Sequence, residues 1–161
     1  RGYGEGKGIN ERNRKLRKKR PDIVLSIHGN GDPMGTGTGF ECYPSPPGRE
    51  NYGKSYAFAS MIAEEMAELG SVIRGRDGIR YGYYVPDETG QLTKTIKESS
   101  DTTVYEYGSF GMVERMRCPA VLVEQCFVTN ADDVAAFGTE EGCKKAAGAY
   151  YRAICRYLKL D

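Results

Sequence analysis

Two runs of consecutive apolar residues stand out from an otherwise polar chain. Residues 22–28 (DIVLSIH) lie between Pro21 and a Gly29-Asn30-Gly31 turn, and residues 119–124 (PAVLVE) open on a proline. Short unbroken aliphatic runs bounded by turn residues predict buried strands, the first of them central and parallel in its sheet. Pro119 stands at the first position of its run, where a missing N–H is tolerated. A shorter strand is predicted over residues 39–43 (GFECY), stopped by Pro44, Pro46 and Pro47.

Between and after these runs the period changes to that of a helix. Residues 55–69 place Phe58, Met61, Ile62, Met66 and Leu69 on one face and Glu64, Glu65 and Glu68 outside, with Gly70 as a stop. Asn130 and Thr139 are N-cap residues for a short helix reaching Phe137 and for a last helix. In the latter, Cys143, Ala147, Tyr150, Ile154 and Leu158 recur along an inner face. A short basic helix is expected before Arg20-Pro21, because a residue preceding proline resists the helical basin. Gly2, Gly4, Gly6 and Gly8 ahead of it predict a flexible start. Residues 71–111 carry no clear period. Their polar stretch 91–101 is compatible with a helix or with an ordered insertion over a cleft, and residues 84–108 are read as an insertion. Strands alternating with helices and no hairpin signal predict an α/β fold: a three-layer sandwich with a mostly parallel central sheet and helices on both faces.

The length of 161 residues fits one domain. No apolar run approaches the length needed to cross a bilayer, and the first twenty residues contain no signal-peptide core. Those twenty residues hold nine Lys/Arg and two acids, whereas the remainder is net acidic. Seven of the nine residues 12–20 are basic, enough for nonspecific phosphate contact. No aromatic residue is interleaved, so a stacking platform for bases is absent and a solvated helix face is the simpler reading. Nucleic acid is not an expected partner. The five cysteines form no CxxC pair and cannot all pair with one another, which excludes a disulfide framework and a cysteine-rich zinc module.

Chemistry concentrates where the two apolar strands end. The first runs into His28, the chain's single histidine, and the second into Glu124. Ligands of open α/β sheets gather outside the carboxyl ends of the strands, so parallel neighbours would bring an imidazole and a carboxylate to one rim. That pair suits a zinc ligand beside a general base, or an acid–base couple. A carboxylate closing an apolar strand must reach solvent, a cation or a metal. Cys126 near Glu124 raises a cysteine–histidine hydrolase as an alternative, weighed against the usual role of buried cysteine as a small hydrophobe.

The same residues resemble a known family. Glu11-Arg12, the segment running from Arg20-Pro21-Asp22 to Ser26-Ile27-His28-Gly29-Asn30, and Leu122-Val123-Glu124-Gln125-Cys126-Phe127-Val128-Thr129-Asn130 resemble motifs of the zinc-dependent N-acetylmuramoyl-L-alanine amidases, in the family's order. Gly39-Phe40-Glu41-Cys42-Tyr43 and the flanking helices fit the same pattern. The resemblance implies a peptidoglycan hydrolase that cleaves the amide between N-acetylmuramic acid and the L-alanine of the stem peptide, acting outside the cell or in its envelope. It implies Zn2+ as cofactor, His28 as a zinc ligand and Glu124 as the catalytic carboxylate. In the family a further His and Glu ligand precede the Glu11-Arg12 motif. Glu5 is too close to that motif to be the second, and nothing in the spacing recommends Glu41 or Asp32. The expectation is therefore a chain lacking that N-terminal strand and helix, with an open sheet edge and poor behaviour alone. The alternative is an inactive amidase-like module that binds peptidoglycan or a partner protein. Tyr81–Tyr84, Tyr105 and Tyr107 are read as packing within the insertion, with a groove for glycan or stem peptide as the competing role.

Overall fold

A computed structural model describes residues 7–160; the glycines at 2, 4 and 6 and Glu5 lie outside them. The basic segment forms helix α1 (Lys7–Lys19), which ends as expected before Pro21. The two apolar runs become β1 (Val24–Asn30) and β6 (Ala120–Phe127), and β2 (Glu41–Pro44) completes a sheet of order β1-β6-β2. β1 runs parallel to β6 and β2 antiparallel to it, so the sheet is mixed. The strand expected at the centre is an outer one: among the described residues β1 pairs only with β6, and its Ile27 is 55% exposed. The apolar content of β6 is the greater, with seven of its eight residues buried, and this is what fits it for the middle.

Helices cover both faces. On one, α2 (Tyr52–Glu68) and α5 (Glu140–Leu158) enclose Phe40, Cys42, Val121, Val123 and Cys126 together with Phe58, Ile62 and Met66. On the other, Val24, Tyr43, Ala120 and Leu122 meet Met112 and Val113 of α3 (Gly111–Glu114), Met116 and, from α1, Leu16. The inner face of α5 is rotated by about one residue from expectation. Gly142, Ala146, Ala149, Tyr150 and Ala153 are buried, while Cys143 and Ala147 face solvent. Small side chains set the contact, since a Cβ at position 142 would collide with the backbone of Ala136 and Phe137. Glu65, expected outside on α2, is buried instead. α5 lies alongside and supplies Arg152 and Arg156, which bond its two oxygens at 2.6 and 3.1 Å. Asn130 and Thr139 cap as their sequence suggests, Asn130 before α4 (Ala131–Asp133) and the π-helical turn Val134–Gly138.

The stretch without a clear period is a second, antiparallel sheet, and its polar part is a strand. β3 (Arg80–Pro86) pairs with β4 (Leu92–Glu98) and with the short β5 (Tyr107–Gly108). The hairpin turn is organised by Asp87, whose carboxylate accepts from the amides of Thr89 and Gln91, and by Gly90 at φ +81°. This turn is the hairpin signal that sequence patterning did not reveal. In β4 one face interleaves Leu92 and Ile96 with Lys94 and Glu98 and the other is Thr93, Thr95 and Lys97, so neither is the continuous apolar face by which strands are usually recognised.

Candidate active site

Residues facing each other across neighbouring strands share a face of the sheet. In register, His28 of β1 stands beside Glu124 of β6, and Glu124 stands beside Glu41 of β2. The expected convergence of imidazole and carboxylate is therefore present, with a second carboxylate completing the row. Just beyond it the ladder shifts, so that Asn30 meets Phe127.

The three groups differ in what surrounds them. His28 is exposed, and its Nε2 lies 2.9 Å from Ser26 Oγ. Partial burial, aided by the charge of Arg12, holds its pKa below the ordinary value and favours the neutral ring. Glu124 is largely buried, and its Oε2 is enclosed without a hydrogen-bond partner among the described residues. Burial first, and the negative charge of Glu41 second, push its pKa up to about 7 against the opposing charge of Lys94. Glu41 is 4% exposed but fully engaged. Its Oε1 accepts from Asn30 Nδ2 at 2.7 Å and Tyr43 OH at 3.0 Å, and its Oε2 from Arg74 Nε at 3.0 Å and Arg80 Nη1 at 2.7 Å.

Glu41 and Asp32, which the spacing does not recommend as ligands, are both engaged by hydrogen bonds within the protein. Asp32 folds its own loop, accepting from the amides of Met34, Thr36 and Gly37. Cys126 packs in the core beneath the α2 and α5 helices, and burial raises its thiol pKa. A protonated core thiol is a poor nucleophile, which removes the basis for pairing it with His28.

An open cleft of about 400 Å³ adjoins the row, lined by Asn30, Glu41, Arg74, Arg80, Lys94 and Phe127 among others. Arg74, Arg80 and Lys94 come from residues 71–111 and were not foreseen. For Arg80 and Lys94 the hairpin register, once the hairpin is recognised, puts both on one face; Arg74 lies outside the hairpin and has no such signal.

His28 suits a zinc ion as a neutral nitrogen donor, and the unpartnered Glu124 oxygen beside it suits a carboxylate reserved for a ligand or a proton. Catalytic zinc ordinarily has three protein ligands, and no group of three or more His, Cys, Asp and Glu side chains placed to hold a metal occurs among the described residues. The donor set fits such an ion at one ligand.

Comparison with known proteins adds to this geometry. A family model described as N-acetylmuramoyl-L-alanine amidase matches residues 5–156. A search of curated proteins finds no match. Among solved structures, the N-acetylmuramyl-L-alanine amidase Ami1 from Mycobacterium smegmatis is similar over 99% of this chain and 66% of its own, at 25% identity and a TM-score of 0.70. The apo form of Ami1 from Mycobacterium abscessus is similar over 94% and 61%, at 25% identity and a TM-score of 0.69. The CwlD amidase from Clostridioides difficile, solved in complex with the GerS lipoprotein, shares the fold at 17% identity, covering 99% of this chain and 71% of its own, with a TM-score of 0.68. The chain spans less than two thirds of the length of the two Ami1 proteins.

Proposed function

The chain belongs to the N-acetylmuramoyl-L-alanine amidase family, and from that membership we propose that it hydrolyses the amide joining the lactyl group of N-acetylmuramic acid to the L-alanine of the stem peptide. The observation that carries the reading is the unpartnered Glu124 oxygen in register beside His28. A buried carboxylate without a partner is costly, and a reaction that needs a proton carrier explains its retention.

In this reading Glu124 takes a proton from the attacking water as the new C–O bond forms at the amide carbon. It returns the proton to the leaving nitrogen as the C–N bond breaks, giving a lactyl carboxyl group and a free alanine amine. His28 would hold zinc through its neutral ring, and Arg74 and Arg80 engage the Glu41 carboxylate beside Glu124. Zinc, when bound, polarises the amide carbonyl and lowers the pKa of water. Site of action follows substrate: the cell wall, outside the cell or in its envelope. No helix among the described residues is long and apolar enough to cross a membrane.

The test is release of stem peptides from purified peptidoglycan, read as new alanine amino termini, with zinc content measured on the same samples. Wild type is expected to release them, Glu124→Gln to lose about 10²-fold or more, and His28→Ala to lose bound zinc as well as activity. A second reading, a module that binds wall without cleaving it, draws on the single zinc-type ligand among the described residues. It is favoured by retained wall binding with no alanine amino termini released at any zinc concentration.

A further inference from the structure

The register of the small sheet divides its tyrosines between two faces. Tyr81 and Tyr83 are fully buried, and Tyr105 packs on Tyr83 with ring centroids 4.5 Å apart. Tyr84 points the other way and stands between Lys94 of β4 and Tyr107 of β5 in one lateral row. Tyr84 is 42% and Tyr107 50% exposed. Ile96 and Leu92, which share that face, are also exposed.

This face is continuous with the candidate active site. Its first row holds Arg80, bonded to Glu41, and Glu98. In the next row Gly82 leaves room for Phe110, whose ring occupies the space that a side chain at 82 would need. Phe110 packs on Tyr43 at 4.4 Å between centroids and lies under the Lys94 ammonium at 4.5 Å. The tyrosine row follows, four residues along β3 from Arg80, or about 13 Å at the rise of a strand. Single exposed apolar residues need no explanation, but two rings and two aliphatic side chains on one sheet face, leading out of a catalytic cleft, form a surface of one kind.

We propose that this face is a docking wall for the glycan strand of the substrate, with Tyr84 and Tyr107 stacking on pyranose rings; the inference rests on the peptidoglycan reading above. Neighbouring strands are about 4.8 Å apart, which sets the two exposed tyrosines next to each other on the face. A pyranose has apolar C–H faces and a polar rim, and tyrosine has the matching apolar body and polar tip. The stem peptide is left the cleft itself, where Lys94, Arg74 and Arg80 line the walls.

The experiment is calorimetric titration of the zinc-loaded protein with a tetramer of N-acetylglucosamine and, separately, with a synthetic stem tetrapeptide. Wild type is expected to bind the tetramer. Tyr84→Ala/Tyr107→Ala should bind it about five- to tenfold more weakly, and Tyr84→Phe/Tyr107→Phe should keep the affinity because stacking needs only the ring. Both positions are exposed, so thermal melts of the variants should match wild type. Absence of tetramer binding, unchanged binding in the double alanine variant, or a loss confined to the tetrapeptide overturns the proposal. The tetramer contains no muramoyl amide, so its binding is read apart from hydrolysis. A protein that cleaves the amide but does not hold the tetramer loses this inference alone. One that holds the tetramer through these tyrosines but cleaves nothing loses the amidase reading alone.

Discussion

Glu124 and Glu41 are adjacent carboxylates on one sheet face, and their surroundings give them opposite roles. Glu41 is saturated by Asn30, Tyr43, Arg74 and Arg80, while Glu124 has an enclosed oxygen with no partner among the described residues. Glu124→Gln removes an uncompensated charge from a half-buried site, so its thermal midpoint at pH 8 should equal or exceed that of wild type while activity is lost. A drop in the melting temperature would mean that Glu124 is a structural residue. Cys126 gives a second contrast at this scale. Cys126→Ser should retain wild-type turnover on peptidoglycan, because the raised pKa and core position of that thiol keep it protonated and out of the chemistry.

Between elements, the contact of α2 with α5 combines a stripe of small residues with one buried ionic group. Burial alone would raise the Glu65 carboxyl, but the hydrogen bonds and charges of Arg152 and Arg156 outweigh it and hold the pKa below the ordinary carboxylate value. The folded pKa is therefore the lower of the two, and protonation favours the unfolded chain. The stabilisation is complete above the unfolded pKa, near 4.3, and is lost as pH falls through the lower folded value. Chemical denaturation should show Glu65→Gln less stable than wild type by about 1–2 kcal/mol at pH 7, a modest figure because both arginines are half exposed. The gap should close as pH falls below about 4. A gap independent of pH would assign the effect to packing.

At the scale of the whole molecule, Glu41 adds side-chain ties to the backbone bridges Phe40–Ile73 and Cys42–Ile79 that join the β2 edge to the segment before the hairpin. It ties the end of β1 through Asn30, and it ties the segment leading to the hairpin through Arg74 and Arg80, the latter also bonded to Glu98. Glu41→Ala leaves those arginines facing a vacated, mostly buried site. It should cost about 3 kcal/mol of stability by denaturant titration and loosen the hairpin in hydrogen exchange. If hairpin protection survives in that variant, the second sheet is held by the backbone bridges at Ile73 and Ile79 and by the Tyr81 and Tyr83 packing instead.

What the residues alone disclosed was whatever depends on short-range pattern. The apolar runs ending in His28 and Glu124, the caps at Asn130 and Thr139, and the helix of Phe58, Ile62 and Met66 were all legible, because burial of a strand or helix face imposes a period on the sequence. Those signals also led to the α/β class. Tertiary structure alone decided which strand stood in the middle, that Glu65 was paired rather than solvated, and that α5 turned its alanines inward. It also decided that Arg74, Arg80 and Lys94 lined the cleft and that Tyr84 and Tyr107 were exposed while Tyr81 and Tyr83 were buried. Each of these depends on a partner distant in the chain. Register across strands and the approach of one helix to another place side chains together without leaving a local period to read.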